Sequence, residues 1–292
     1  MSSAQIDRQS YPHSAEAVRI ATDRGEFAAL DRAAEGTPRG TVLMVPGYTG
    51  SKEDFVTLID PIAEQGYGVV AIDQRGQFET AGNDDPATYA VDELGRDVAA
   101  IARALSAPVN LLGHSFGGLV ARAAVIAEPE LFASLVLMAS GPGALGDGPR
   151  KSMILAAEPH LYTLGLEGIY ELSQQALAAD PMFVAPPGPL AEFLRRRFIA
   201  NSPYALQFMG HAMLSEPDRV AELQATGVPV LVLYGSEDNA WTPQAQSDMA
   251  SRLGAQEVVI DGALHSPAFE NVGGTLGALL AFWDAQRRER SA

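Results

Sequence analysis

Five short apolar runs recur along the chain, at about 41–45, 67–72, 109–112, 135–139 and 228–234. Each has the length of a strand, and none shows the polar alternation of a strand with one wet face. Such runs belong to a sheet covered on both sides. Helix-patterned segments lie between them. Over 53–65, Phe55, Leu58, Ile59 and Ile62 fall at helical spacing before Gly66, and over 91–105, Leu94, Val98, Ile101 and Leu105 share one face. Before the first run, 18–22 and 26–30 flank Asp23-Arg24-Gly25 and read as a hairpin. The end of the chain adds a helix over 243–253, a strand over 257–260 and a helix over 275–287. This alternation predicts an α/β fold: a mostly parallel, eight-stranded sheet, helices on both faces, the hairpin as its antiparallel edge.

The pattern is interrupted once. From Gly141-Pro142-Gly143 to about Thr226 no strand is legible, only helical pieces punctuated by Pro181, the Pro186–Pro189 cluster, Pro203 and Pro217. The expected organisation is a core over 1–140 and 227–292, with a helical cap inserted over 141–226. Residues before about 16 read as a loose polar lead-in.

At the third apolar run the chain reads Gly113-His114-Ser115-Phe116-Gly117, followed by an alanine-rich segment of helical composition to about Ala127. A serine between a buried strand and a helix, with glycine two residues to either side, fits the G-x-S-x-G elbow. There the hydroxyl stands clear of the backbone, and the helix N-terminus points its N–H groups at the place where negative charge develops. On these residues the chain resembles the α/β-hydrolase superfamily, from about Val18 to Trp283.

That resemblance implies a Ser–acid–His order. Of histidines 13, 114, 160, 211 and 265, only His265 lies in a loop after a late strand and before the final helix; His114 is locked in the elbow. The family's Gly-x-x-Asp spacing from Gly235 carries the acid role to Asp238, with Glu237 as a solvated neighbour. After the preceding strand there is only Ser140, with Asp147 farther on. Oxyanion donors are implied at the backbone N–H of Phe116 and, by resemblance, of Tyr48. The Pro46-Gly47 loop lacks the family's common histidine. Asp73-Gln74-Arg75-Gly76 matches a structural turn of the family in which the arginine clamps a carboxylate or carbonyl. Phe78, His114, Trp241, Met153 and Met209 are candidates to line a pocket, although Trp241 also reads as packing beside the acid loop and Phe78 equally as an anchor of its own loop. Met153, Met182, Met209 and Met213 read together as an adaptable apolar cap surface, with core filling the expected role of any one of them. Arg195-Arg196-Arg197 reads as a solvated helix face, with attraction of a carboxylated substrate as the alternative.

The implied activity is that of a carboxylesterase-like serine hydrolase acting on a small-to-medium, largely apolar ester, lactone or thioester. C–C bond hydrolysis, perhydrolysis, amide or aminopeptide cleavage and acyl transfer use the same parts. A non-catalytic ligand receptor is the alternative from another class. Serine at the elbow disfavours the dehalogenase and epoxide hydrolase branches, which carry a carboxylate there. No G-x-G-x-x-G, phosphate loop or metal-ligand cluster is visible, so no cofactor or metal is expected. A formal charge of −16 disfavours nucleic acid and anionic membranes as partners. There is no cysteine, hence no disulfide or thiol chemistry. The first residues lack the apolar core of a secretory signal, and no run approaches the ~20 residues of a membrane span. The expectation is a cytoplasmic monomer or homodimer acting on a small molecule.

Overall fold

The computed structural model describes residues 12–106, 108–179 and 185–291; Pro181 and Met182 lie outside them, as does most of the N-terminal lead-in. Strands β1 (Glu16–Thr22) and β2 (Gly25–Arg32) form the hairpin, followed by β3 (Gly40–Val45). A single 3-10 turn, Lys52–Phe55, leads into α1 (Val56–Ala63). Next come β4 (Tyr67–Ile72), α2 (Val91–Ala104), β5 (Val109–His114), α3 (Phe116–Ala127) and β6 (Phe132–Met138). After β6 the described chain is helical up to β7: α4 (Pro149–Ala157), α5 (Gly165–Ala178), α6 (Gly188–Ile199), α7 (Pro203–Ser215) and α8 (Val220–Ala225). Then follow β7 (Val230–Gly235), α9 (Pro243–Leu253), β8 (Gln256–Ile260), α10 (Pro267–Glu270) and α11 (Val272–Ser291).

The eight strands make one sheet in the order β1-β2-β4-β3-β5-β6-β7-β8. Only the β1–β2 and β2–β4 pairs are antiparallel; from β4 to β8 every pair is parallel. Side chains in a strand alternate between faces, which explains the unbroken apolar runs. Leu43, Val45, Leu111, Leu135, Val232 and Tyr234 enter one core, against α2 and α3. Their neighbours Val42, Met44, Leu112, Val136, Leu231 and Leu233 enter the other, against α1 and α11. Each apolar side chain fully buried this way contributes roughly 1.5–3 kcal/mol.

Local signals set element ends where they are strong. Thr242 accepts the Ala245 N–H at 3.2 Å as N-cap of α9, Pro243 takes the first helical position, and Gly254 ends the helix in the left-handed region at φ 63°. The N-terminus of α11 is less legible, since α10 precedes it and α11 starts at Val272 rather than near Thr275.

Candidate active site

Three loops at the C-terminal edge of the parallel strands converge. Ser115 sits between the end of β5 and the first residue of α3, with φ 56° and ψ −123°. This strained conformation presents the side chain above the sheet edge. The turn can close only because its flanks are bare. A Cβ on Gly113 would lie 2.3 Å from the Gly117 carbonyl oxygen, and one on Gly117 would lie 2.4 Å from those of Val45 and Pro46.

The imidazole of His265, in the loop after β8, bridges the other two groups. Its Nε2 is 2.9 Å from Ser115 Oγ, and its Nδ1 is 2.9 Å from Asp238 Oδ1, in the loop after β7. With Nδ1–H donating to the carboxylate, the neutral ring offers Nε2 as acceptor for the serine O–H. Asp238 is held on three sides: Oδ1 also accepts the Ala240 N–H at 2.8 Å, and Oδ2 accepts the Gln246 carboxamide N–H at 2.9 Å. All three groups are nearly buried, at 7%, 5% and 5% exposure for Ser115, Asp238 and His265. Burial holds the His265 pKa below its ordinary value, the bond to Asp238 opposes that shift, and the charge of Arg150 adds to it. His114 is also pushed down, to about 4, by burial and by His265. It stays neutral, and its Nε2–H donates to the His265 carbonyl at 2.8 Å, fixing the loop that carries the imidazole.

The loop after β3 runs beside the serine, since a Cβ on Gly47 would lie 3.0 Å from that of Ser115. Two buried glutamines from the turn after β4 brace it. Gln74 Nε2 donates to the Pro46 carbonyl and Gln77 Nε2 to the Gly47 carbonyl, both at 2.8 Å, and the Gly50 N–H adds a second bond to the Gly47 carbonyl at 3.1 Å. These carboxamides tie the carbonyls of a loop that has no histidine. Neighbouring Arg75 binds both oxygens of Asp97 at 2.7 Å and the Arg24 carbonyl at 2.9 Å, bracing the same turn from outside. Lys52, 2% exposed, closes the turn onto the loop through Asp73 and Glu79 at 3.0 and 2.8 Å.

Ser115, His114 and His265 open into a cavity of about 860 Å³ between the sheet edge and the inserted helices. Its walls are mainly apolar, including Leu145, Met153, Leu161, Ile169, Leu206 and Met213. Trp241 lines it and is buried, its indole N–H donating to the Gly143 carbonyl at 3.1 Å. Tyr48 lines it as well, its hydroxyl donating to the Leu206 carbonyl at 2.8 Å, a tie between the β3 loop and α7.

Several expectations are corrected. Phe78 does not reach this cavity. It packs edge-on against Phe193, ring centroids 6.0 Å apart, with the Lys52 ammonium 4.6 Å from its ring, and so anchors its loop. Met209, fully buried, faces the sheet core rather than the cavity. The arginine run is not uniformly solvated. Arg195 pairs with Glu167 at the surface, but Arg197 lines the cavity and pairs with Asp54 at 2.5 Å. Glu237 is exposed, and Asp147 is exposed and paired with Lys151. Sequence reasoning missed Gln77 and Arg150, whose partners lie 30 and 89 residues away, and also Gln246, which reaches Asp238 eight residues back only because of how α9 sits against the acid loop.

A family model described as "Alpha/beta hydrolase family" matches residues 42–275. The chain belongs to the alpha/beta hydrolase family. It is similar to a protein of Variovorax paradoxus provisionally named carbamate hydrolase RutD, 32% identical over 210 residues covering 68% of this chain and 73% of that one. It is also similar to 3-oxoadipate enol-lactonase 2 of Acinetobacter baylyi, 27% identical over 179 residues, or 60% and 63% of the two chains. Among solved structures, a thermophilic esterase from Thermogutta terrifontis matches with a TM-score of 0.74 at 21% identity, over 93% of this chain and 99% of that one. Within this hydrolase fold, no helix of the described residues is long and apolar enough to cross a membrane.

Proposed function

We propose that this alpha/beta hydrolase is a serine hydrolase that cleaves a carboxylic ester, lactone or thioester through an acyl-enzyme, with residues 141–226 acting as a cap over the substrate. The observation that carries the reading is the unbroken hydrogen-bonded chain Ser115–His265–Asp238 at the floor of an apolar cavity. A hydroxyl is a weak nucleophile until a base takes its proton. Ser115 Oγ attacks the carbonyl carbon while its proton passes to His265 Nε2. The Asp238 carboxylate keeps the ring in the required tautomer and stabilises the imidazolium. Because burial lowers the His265 pKa, the ring is in its basic form at neutral pH.

The tetrahedral oxyanion would accept from the N–H groups of Phe116 and Tyr48. Phe116 opens α3, where the N–H lies outside the helix's own ladder. Tyr48 follows Gly47, whose carbonyl Gln77 draws aside. Collapse of the intermediate transfers the proton from His265 to the leaving alkoxide or thiolate. Water then repeats the sequence on the acyl-enzyme and releases the acid. The relatives named for carbamate and enol-lactone cleavage act on carbonyl–heteroatom bonds, in keeping with this class.

An aminopeptidase reading is less well supported. A free amine would need an available carboxylate, and the acidic side chain lining the cavity, Asp54, is paired with Arg197. Of the cap glutamates, Glu158 binds His211 at 2.5 Å and Glu167 binds Arg195.

A chain-length series of p-nitrophenyl esters, run beside lactones and thioesters, tests the reaction, and labelling by a fluorophosphonate tests the nucleophile. Turnover with covalent labelling at Ser115 is expected. A folded protein that neither reacts with the probe nor turns over any acyl substrate would return the fold to the receptor reading.

A further inference from the structure

The fixed charges around the cavity do not balance. Asp54 and Arg197 both reach its wall and cancel each other as an ion pair. His114 and His265, on its floor, are held neutral by burial. Arg150 is left over. It is the second residue of α4, half-buried, and lines the same cavity as Ser115. Its hydrogen bonds go to one neutral acceptor, the carboxamide oxygen of Asn239, at 3.3 Å from Nε and 3.2 Å from Nη2. Among the described residues no carboxylate forms an ion pair with it. Lys151, next in the chain, is by contrast paired with Asp147.

Two carboxylates, Asp238 and Glu270, act on Arg150 from a greater distance, and both have other bonds to satisfy. Asp238 is committed to His265, Ala240 and Gln246. Glu270 accepts the N–H groups of Leu264 and Ser266 at 2.8 and 3.0 Å. Burial consequently pulls the Arg150 pKa below its ordinary value, the mark of a cation that has lost water without gaining a full counter-charge.

A guanidinium carries five N–H donors in a fixed fork that matches a carboxylate. Asn239 takes two of them at the long end of hydrogen-bond distance, which leaves the rest for the cavity. A cation set in an apolar wall gains most from an anion that arrives without its own hydration shell. The protein's overall negative charge cannot attract such an anion from a distance, so discrimination must come from this contact.

We propose that the substrate of this enzyme carries a carboxylate, which Arg150 binds while the scissile carbonyl lies against Ser115. This rests on the serine hydrolase reading. The products would then be a dicarboxylic acid and an alcohol, or a hydroxy acid and a second acid, according to which side of the ester bears the charge.

The test compares charged and neutral esters of matched length. On the acyl side, p-nitrophenyl monoesters of glutarate to pimelate are set against p-nitrophenyl alkanoates. On the leaving-group side, acetoxybenzoates are set against their methyl esters. All rates are corrected for spontaneous hydrolysis. In wild type the charged member should have the higher kcat/KM, chiefly through KM, in at least one series. Arg150→Gln should lower the charged-to-neutral ratio about 10- to 100-fold, the range for hydrogen bonds to a charged group, and Arg150→Lys should restore part of it. A wild-type measurement covers the case of a variant that does not fold: dicarboxylates should inhibit neutral-ester turnover more strongly than the corresponding diamides, which carry no charge.

A wild-type ratio at or below one in both series overturns the inference, as does a ratio unchanged in Arg150→Gln or equal inhibition by acid and amide. In each of those cases, turnover of neutral esters leaves the serine hydrolase reading standing. If no ester is turned over and Ser115 is not labelled, that reading fails and this one fails with it.

Discussion

The sheet and the inserted helices are built to different tolerances. The central strands β3, β5, β6 and β7 bury nearly every side chain, and the two cores on their faces account for most of the fully buried residues. In the insertion, α4 buries none of its nine residues, and the separate apolar cluster there is four residues, Leu161, Leu166, Ile169 and Leu206. Met153, Leu155, Tyr162, Leu164, Leu172 and Leu177 are all about half exposed, and all lie between 149 and 178. The proposed catalytic groups, which need atoms held within a few tenths of an ångström, sit at the edge of the densely buried part. The wall proposed to meet the substrate sits on the part with few buried residues, where repacking disturbs least.

Substitutions in the two regions should therefore fail in different ways. Ser115→Ala should remove fluorophosphonate labelling and lower kcat by about 10⁶-fold while the melting temperature holds. Asp238→Asn, which leaves the shape but favours the wrong tautomer, should cost about 10⁴-fold in kcat. If either variant retains more than a tenth of the activity, the sheet edge is not where catalysis resides. Leu43→Ala, in the sheet core, should lower stability by about 2–5 kcal/mol in urea unfolding. Leu172→Ala, 46% exposed on the cavity wall, should stay within about 0.5 kcal/mol yet shift the preferred acyl-chain length. Equal destabilisation by the two would erase the contrast. Gln77→Ala leaves the Gly47 carbonyl only its bond from the Gly50 N–H and should reduce kcat roughly 10- to 100-fold with little change in KM, because the loop beside the serine loses one of its two glutamine braces.

The smallest effects are on pH. The base works when unprotonated, and the His265 pKa is lowered, so kcat/KM should reach half its plateau below pH 6.5. Asp238→Asn removes the group that raises this pKa and should move the midpoint lower. Arg150→Gln removes a group that lowers it and should move the midpoint higher. A midpoint above 6.5 in wild type, or shifts of the opposite sign, would mean that burial of the ring is not what governs its protonation.

Which parts were readable in advance follows from the range of the interactions involved. The apolar runs announced a sheet covered on both faces, because burial of a strand is written in consecutive residues. The helix over 243–253 was readable to the residue, because Thr242, Pro243 and Gly254 act within one turn of its ends. The elbow was readable because its geometry forbids side chains at 113 and 117. Which of their two readings Met209 and Phe78 would take, core or cavity for the one and loop anchor or pocket for the other, was not, since both depend on how the inserted helices rotate against the sheet. The same holds for Gln74 and Gln77, whose carbonyl partners lie 28 and 30 residues away. It holds for Arg150 too, whose partner Asn239 is 89 residues distant.

The order of strands and helices and the strained serine turn were thus determined by sequence alone, because each rests on periodicity or sterics within a few neighbouring residues. Tertiary structure decided what braces the loop beside the serine, which arginine is left without a counter-charge, and which side chains see the cavity. Those depend on the register between segments that are far apart in the chain, and no local preference specifies that register.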